Sequence, residues 1–510
     1  MVNRARREGI RFTPRDVFGH RTVAGLATVA EWIVDTPPVA AAEHSAGALN
    51  STNTRPTPIP LLPVVHRLRE IGGTIDRFNQ ALVVDTPPEL DVDTLRVILT
   101  ALVDSHEALR SSLQVVAGVL WSMQSTPPGS VDVDDVVQVV PVDRPVFDDD
   151  DALSAVVTAE SSAATRRLAP TSGRMIAATW LTPSSPEDSV AGRLILVIHH
   201  LAVDGVSRRI LLDDLHALWD ATRNGGDTLR LATPTPLHRF TTAVTERAAD
   251  PALLDEATHW AQVLAPGGEL VPGRPPVTGT VAGQRRHVVT LSASTSAALV
   301  SDLPARRGVG ITSLLIGALR VAATRVLGTA DLIIDTERHG RDAHEFGIDA
   351  DLSHTVGWFT TIAPIRLDPT DDIDTAIHAA EEAWTTMPSA GAGFGMLRYL
   401  NPQLSAALAA MSRPSVLLNY LGRFTVGGGS PWQPSAESTA LAADPDPGLG
   451  VAYPLEIDIV CRDETTGPVV AATLRYLPDH LDDAAVRALA DELCATLDSL
   501  SASAESGADQ

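Results

Sequence analysis

The apolar run Leu194-Ile195-Leu196-Val197-Ile198 ends in His199-His200 and passes through Leu201-Ala202-Val203 into Asp204-Gly205. An unbroken apolar run of this length reads as a strand buried on both faces. Alternation along it sends His199 and His200 to opposite sides, so only one of them can face a given cavity. Gly205 supplies freedom for a turn, and Leu211, Leu215, Leu218 and Trp219 then recur at helical spacing. Strand, tight acidic turn and helix therefore follow in order, which holds a histidine on two rigid elements.

A length of 510 residues with 44% hydrophobic content suffices for two cores or one large two-lobed body. The formal net charge of −24 argues against nucleic acid and anionic membrane surfaces as partners. The start Met1-Val2-Asn3-Arg4-Ala5-Arg6-Arg7-Glu8 lacks an apolar core segment, and no stretch reads as a membrane span. A cytoplasmic location is expected. Cys461 and Cys494 are far apart and sit in strand-like and helix-like settings, which argues against a disulfide framework or thiolate metal site. No metal is expected at the histidines either, since neighbours on opposite strand faces do not easily share an ion.

The chain contains no lysine, and every Lys/Arg-type cation is an arginine. Schiff-base chemistry, and with it pyridoxal-dependent racemisation, is excluded.

The organisation is α/β. Residues 1–34 read as the end of a helical unit too short to fold alone, and 35–58, rich in Pro, Ala, Ser and Thr, read as a linker. A first lobe spans 59–235, with a strand at 81–84 and a helix from about 91 to 113. A second lobe spans 236–500, with a strand at 288–291, a helix over 313–327 and a strand at 332–337. The small polar residues 501–510 read as a disordered tail.

Further signals come in a fixed order: Glu337-Arg338-His339-Gly340-Arg341, Thr355-Val356-Gly357-Trp358-Phe359-Thr360, Gly391 to Leu400, and Leu418-Asn419-Tyr420-Leu421-Gly422-Arg423-Phe424. Together with the HHxxxDG pattern at 199–205, this succession resembles the epimerization domains of nonribosomal peptide synthetases, members of the condensation-domain superfamily. The resemblance covers about residues 59–500, and Phe78-Asn79-Gln80 and His106-Glu107-Ala108-Leu109-Arg110 fit it as well. Residues 1–34 resemble the closing part of a peptidyl carrier domain, without its phosphopantetheinylated serine motif.

What the resemblance implies is two chloramphenicol-acetyltransferase-like lobes in a V, around a central tunnel that admits a phosphopantetheine arm. The implied reaction is inversion at Cα of an aminoacyl or peptidyl thioester, without an intrinsic cofactor. The partners would be an upstream peptidyl carrier domain and a downstream condensation domain. His200 and Glu337 would handle the proton, or His200 would instead be the cation or hydrogen-bond donor at the enolate oxygen, with Asn419 and Tyr420 as further catalytic candidates for oxyanion support or proton relay. His199, Asp204, Gly205 and Arg341 would be structural, with Arg341 pairing Asp204, and Ser207, Trp358 and Phe359 would line the tunnel. A useful Glu base needs a raised pKa, which a partly desolvated tunnel can give.

Three positions and one motif depart from the family pattern. Arg208 stands where Trp is common, Arg338 follows Glu337 where Gly is usual, and Phe394 replaces a frequent Tyr. The opening motif, Pro60 to Leu68, lacks its closing aromatic pair. The rival readings are a condensation domain that forms peptide bonds and a catalytically idle carrier-docking module. A two-cysteine racemase has no paired cysteine motif to support it.

Overall fold

The apolar run at 194–198 lies in a strand, Arg193–His199, and each of its five apolar side chains is at most 1% exposed. The computed structural model describes residues 10–11, 23–32, 55–185, 190–224, 231–274, 277–425, 430–439, 441, 446–464 and 466–506. They fall into two units, Met1–Arg55 and Pro56–Gln510. In the first, Ile10–Arg11 pairs antiparallel with Glu31–Trp32, and the helix Val23–Val29 lies between them in sequence. The remainder of the carrier-like segment and residues 35–54 of the expected linker lie outside the described residues.

The larger unit opens with β1 (Thr57–Ile59), β2 (Asn79–Asp85), β3 (Ser111–Val116), β4 (Leu120–Ser125), β5 (Val137–Val142), β6 (Ile176–Pro183) and β7 (Arg193–His199). Helices α1 (Pro63–Ile71), α2 (Val92–Ser105), α3 (Asp150–Thr165) and α4 (Gly205–Arg223) belong to the same part of the chain. One sheet has the order β2-β7-β6-β5, parallel only between β5 and β6; an antiparallel sheet has the order β1-β4-β3.

The second part contains β8 (Arg285–Thr290), β9 (Leu332–Arg338), β10 (Thr361–Leu367), β11 (Val416–Thr425), β12 (Leu455–Glu464) and β13 (Gly467–Tyr476). Its main helices are α5 (Leu237–Ala248), α6 (Ile311–Leu327), α7 (Ile373–Thr385) and α8 (Asp483–Ser506). The strand order is β8-β13-β12-β11-β9-β10, and β11 runs parallel to both its neighbours. α6 is buried at every position from 313 to 323, as its nearly all-apolar sequence requires, and packs against α7 and α8. Gly317 permits the α7 approach, since a Cβ there would sit 3.0 Å or less from Ile377 backbone atoms.

The two parts are interlocked. Residues 430–439 return to the outer edge of β2, where Trp432 N–H donates to the Asp85 carbonyl at 2.7 Å and Ser435 N–H to Val83 at 3.0 Å. Glu437 then pairs with Arg193 of β7 at 3.1 Å. A cut at 235/236 therefore assigns to the second lobe a segment that completes the first.

Four sequence expectations need correction. The helix expected over 91–113 ends at Ser105, because His106 turns extended and is held by Asp214 at 2.9 Å; Leu113 belongs to β3. The linker stops short of 58, since Thr57 and Pro58 pair with β4. The tail is not irregular from 501, as α8 continues to Ser506 and buries Leu500 and Ser501. Gly205 does not make a left-handed turn; it opens α4 behind the Asp204 cap.

Candidate functional site

β7 delivers its two histidines to different fates. His199 is fully buried, its Nδ1 accepting from Leu201 N–H at 3.2 Å while Nε2–H donates to the Ile75 carbonyl at 2.7 Å. Both ring nitrogens are satisfied in one neutral tautomer. Burial pushes its pKa down to about 4. His200 leaves the strand, its backbone N–H donating to the Phe78 carbonyl at 2.8 Å. Its ring stacks on Phe78 at 4.6 Å and 8°, and Trp358 tilts against it at 4.6 Å. The Gln80 carboxamide lies 2.9 Å from Nε2, and Nδ1 is buried without a partner. Burial, reinforced by the Arg208 charge, lowers the His200 pKa to about 4. At neutral pH the imidazole is an uncharged base.

Asp204 anchors the turn. Oδ1 accepts from Ser207 N–H at 2.7 Å and from Arg341 Nη2 at 2.9 Å, while Oδ2 accepts from Phe359 N–H at 3.1 Å. Arg341 also donates to the Leu352 and Thr355 carbonyls and lies over the Phe359 ring at 4.4 Å. Ser207 is fully enclosed, donating to the Gly357 carbonyl at 2.9 Å and accepting from Gly357 N–H and Arg341. It works within this clasp, not on a channel wall. Phe359 packs on Phe240 and the Arg341 guanidinium, whereas Trp358 alone of the two touches His200.

Four residues after Trp358 the chain reaches Ile362 of β10, which pairs with Glu337 on β9. Four residues span at most about 14 Å, so the loop against His200 runs directly into the strand beside Glu337. Asn419 of β11 donates Nδ2–H to Glu337 Oε2 at 2.8 Å. Asp458 of β12 sits opposite Asn419, with Glu456 two residues earlier on the same face. Arg475 of β13 bonds Asp458 and lies 3.6 Å from Glu456. Two residues before Glu337, Asp335 accepts from Tyr453 Oη at 2.6 Å, with Arg67 at 4.0 Å.

Burial first, then the negative charges of Asp458, Glu456 and Asp335, push the Glu337 pKa up to about 8 against the pull of Arg67. Glu337 thus holds a proton at neutral pH, and Asn419 occupies Oε2, leaving Oε1 for that proton. Tyr420, next along β11, lies on the other face beside Cys461 and Arg423; burial raises its pKa to about 12. The structure brings Asn419 to Glu337 and does not bring Tyr420 there. Arg338 turns away too, stacking on Trp384 at 3.8 Å and donating to its carbonyl.

A pocket of about 510 Å³, taken out to its open mouth, lies beside this pair: Arg67, Phe359, Thr361, Ile362 and Tyr399 line it, and His200 and Glu337 do not. Sequence reasoning did not single out the tuning groups Arg67, Asp335, Tyr453, Glu456, Asp458 and Arg475, and it placed Phe78 and Gln80 in a motif without giving either a role at the His200 ring. One signal was available in Leu455-Glu456-Ile457-Asp458-Ile459, where acids alternate with core residues on a strand.

The condensation domain family model matches residues 187–468, just over half of the chain. A linear gramicidin synthase protein of Brevibacillus parabrevis is 30% identical over 463 residues, which cover 87% of this chain and 6% of that protein. Chondramide synthase cmdD of Chondromyces crocatus is 31% identical over 432 residues, covering 83% and 10%. The chain therefore spans a tenth or less of the length of these relatives. The epimerization domain from the third module of tyrocidine synthetase B superposes with a TM-score of 0.73 at 21% identity, covering 88% of this chain and 98% of that one. The first condensation domain of the calcium-dependent antibiotic synthetase gives 0.61 at 14% identity, covering 88% and 97%. These structural likenesses establish the mixed α/β fold.

Proposed function

The chain belongs to the condensation-domain family, and from that premise we propose that it is an epimerization domain of a nonribosomal peptide synthetase. Its substrate is an L-aminoacyl or peptidyl thioester, presented on the 4'-phosphopantetheine arm of an upstream carrier domain and converted to the D form for a downstream condensation domain. Residues 1–34 fit the end of that carrier.

One arrangement carries this reading: the Glu337 carboxyl, fixed by Asn419, and the His200 imidazole, fixed by Phe78 and Trp358, are joined by the short run from Trp358 to Ile362, and burial pushes the first up to about pKa 8 and the second down to about 4. A stereocentre is inverted by removing a proton from one face and returning one to the other. His200 takes the Cα proton as the C–H electron pair moves into the thioester enolate, and Glu337 gives its proton to Cα from the opposite side. Imidazolium and carboxylate remain, and a proton passing between them through solvent resets the pair. One carboxyl oxygen of Glu337 is held by Asn419, and the His200 ring by Phe78, Trp358 and Gln80, so neither group must be oriented during the reaction.

A condensation domain would use the same His200 and have no need of a protonated Glu337. The test supplies this protein with an L-aminoacyl carrier, alone and with a second loaded carrier, then resolves the amino-acid enantiomers and any dipeptide. Epimerization predicts D product from the first mixture and no dipeptide from the second. A dipeptide without inversion would establish condensation, and neither product with cognate carriers would leave an idle docking domain.

A further inference from the structure

Arg208 and Arg209 form a second charged feature at this site. They lie in the first turns of α4, just beyond the Asp204 clasp, with Arg208 N–H bonded to the Asp204 carbonyl at 3.3 Å. Both guanidinium groups lie over one ring, Phe424 of β11, at 5.6 and 6.0 Å from its centre. Among the described residues no carboxylate is within ion-pair distance of Arg208. Asp204, whose charge Arg208 feels, is already occupied by Arg341, Ser207 and Phe359.

Two cations over one ring repel each other, and Arg208 is half-buried, so its energetics improve when an anion arrives. In a chain of net charge −24 with ample acids to spare, Arg208 is left unmatched among the described residues. A guanidinium fork fits a carboxylate in two parallel hydrogen bonds. The feature belongs to the motif that carries His200: Arg208 follows the Asp204 cap in the first turn of α4, its charge bears on the His200 imidazole, and Phe424 lies five residues beyond Asn419 on β11.

We propose that Arg208, supported by Arg209 and seated on Phe424, receives a carboxylate on the carrier-borne substrate, so that the residue inverted here is acidic. A side-chain carboxylate stands a few bonds from Cα, whereas the phosphate of a pantetheine arm is separated from its thioester by the whole arm. The assignment rests on the reading that an aminoacyl or peptidyl thioester reaches His200.

The test is equilibrium binding, by calorimetry, of the amide isosteres of L-glutamyl and L-glutaminyl pantetheine to the full chain, each with and without the arm's phosphate. The glutamyl probe should bind at least about tenfold tighter than the glutaminyl probe, the worth of one charge-assisted hydrogen-bonded contact. Arg208→Met should erase that preference, while Arg208→Lys, which keeps the charge, should retain part of it. Equal binding by the native protein, or a preference that survives Arg208→Met, would overturn the proposal. So would dependence of Arg208 binding on the phosphate alone, with glutamyl and glutaminyl probes alike. Hydrogen exchange at Cα of an L-glutamyl thioester is followed separately: Arg208-dependent binding without exchange removes the epimerase reading and leaves the carboxylate seat standing.

Discussion

Replacing Glu337 by Gln removes the ionising group while leaving an oxygen to accept from Asn419. The folded protein holds the Glu337 proton up to about pH 8, against an ordinary value of 4.5. Folding therefore tightens proton binding, and the stability this carries is fully present below about pH 4.5 and lost as pH rises through about 8. At roughly 1.4 kcal/mol per pH unit the whole interval corresponds to about 5 kcal/mol. Glu337 is only half-buried, so water and relaxation reduce the measurable part to about 1–3 kcal/mol. The assay is urea unfolding of native and Glu337→Gln proteins, followed by tryptophan fluorescence, at about pH 5, 7 and 9. Groups common to both proteins cancel in the difference. The variant should match the native protein near pH 5 and exceed it by about 1–3 kcal/mol near pH 9. A difference that does not vary with pH, or one that opens only on the acid side, would refute the assignment of Glu337 as a proton-loaded acid.

The rate of Cα hydrogen exchange should be flat between about pH 4, where His200 protonates, and about pH 8, where Glu337 ionises, falling outside both limits. Asp458→Asn should move the alkaline limb to lower pH by removing a like charge, and a limb that stays in place would disconnect Asp458 from Glu337. Asp204→Ala leaves the Arg341 guanidinium, 8% exposed, without its carboxylate. It should cost about 3–5 kcal/mol in unfolding free energy, and a loss under about 1 kcal/mol would show that the clasp does not depend on this ion pair.

What was legible followed from local periodicity. The run before His199 has to be a buried strand, the spacing after Gly205 has to be a helix, and α6 has no polar face to expose. The end of α2 was not legible, because Ala108, Leu109 and Leu113 continue the helical spacing, and only the long-range bond from His106 to Asp214 breaks it. The site was half legible. His200, Glu337 and Asn419 sit in recognisable motifs, but the carboxylates that tune Glu337 come from β9 and β12, brought together by parallel pairing through β11 across 82 and 39 residues of intervening register. Nothing local encodes such pairing. Asn419 and Tyr420 share a motif, but alternation turns only Asn419 toward Glu337 and sends the tyrosine to the other face, which the motif by itself does not distinguish.

The most direct test loads a carrier with an L-aminoacyl phosphopantetheine in deuterated water and resolves the hydrolysed enantiomers by mass. The native protein should yield D product carrying one deuterium at Cα. Glu337→Gln and His200→Ala should each abolish inversion, since each removes the group on one face. Inversion persisting in either variant, or native protein leaving both configuration and hydrogen untouched on its cognate carrier, would contradict the two-group account.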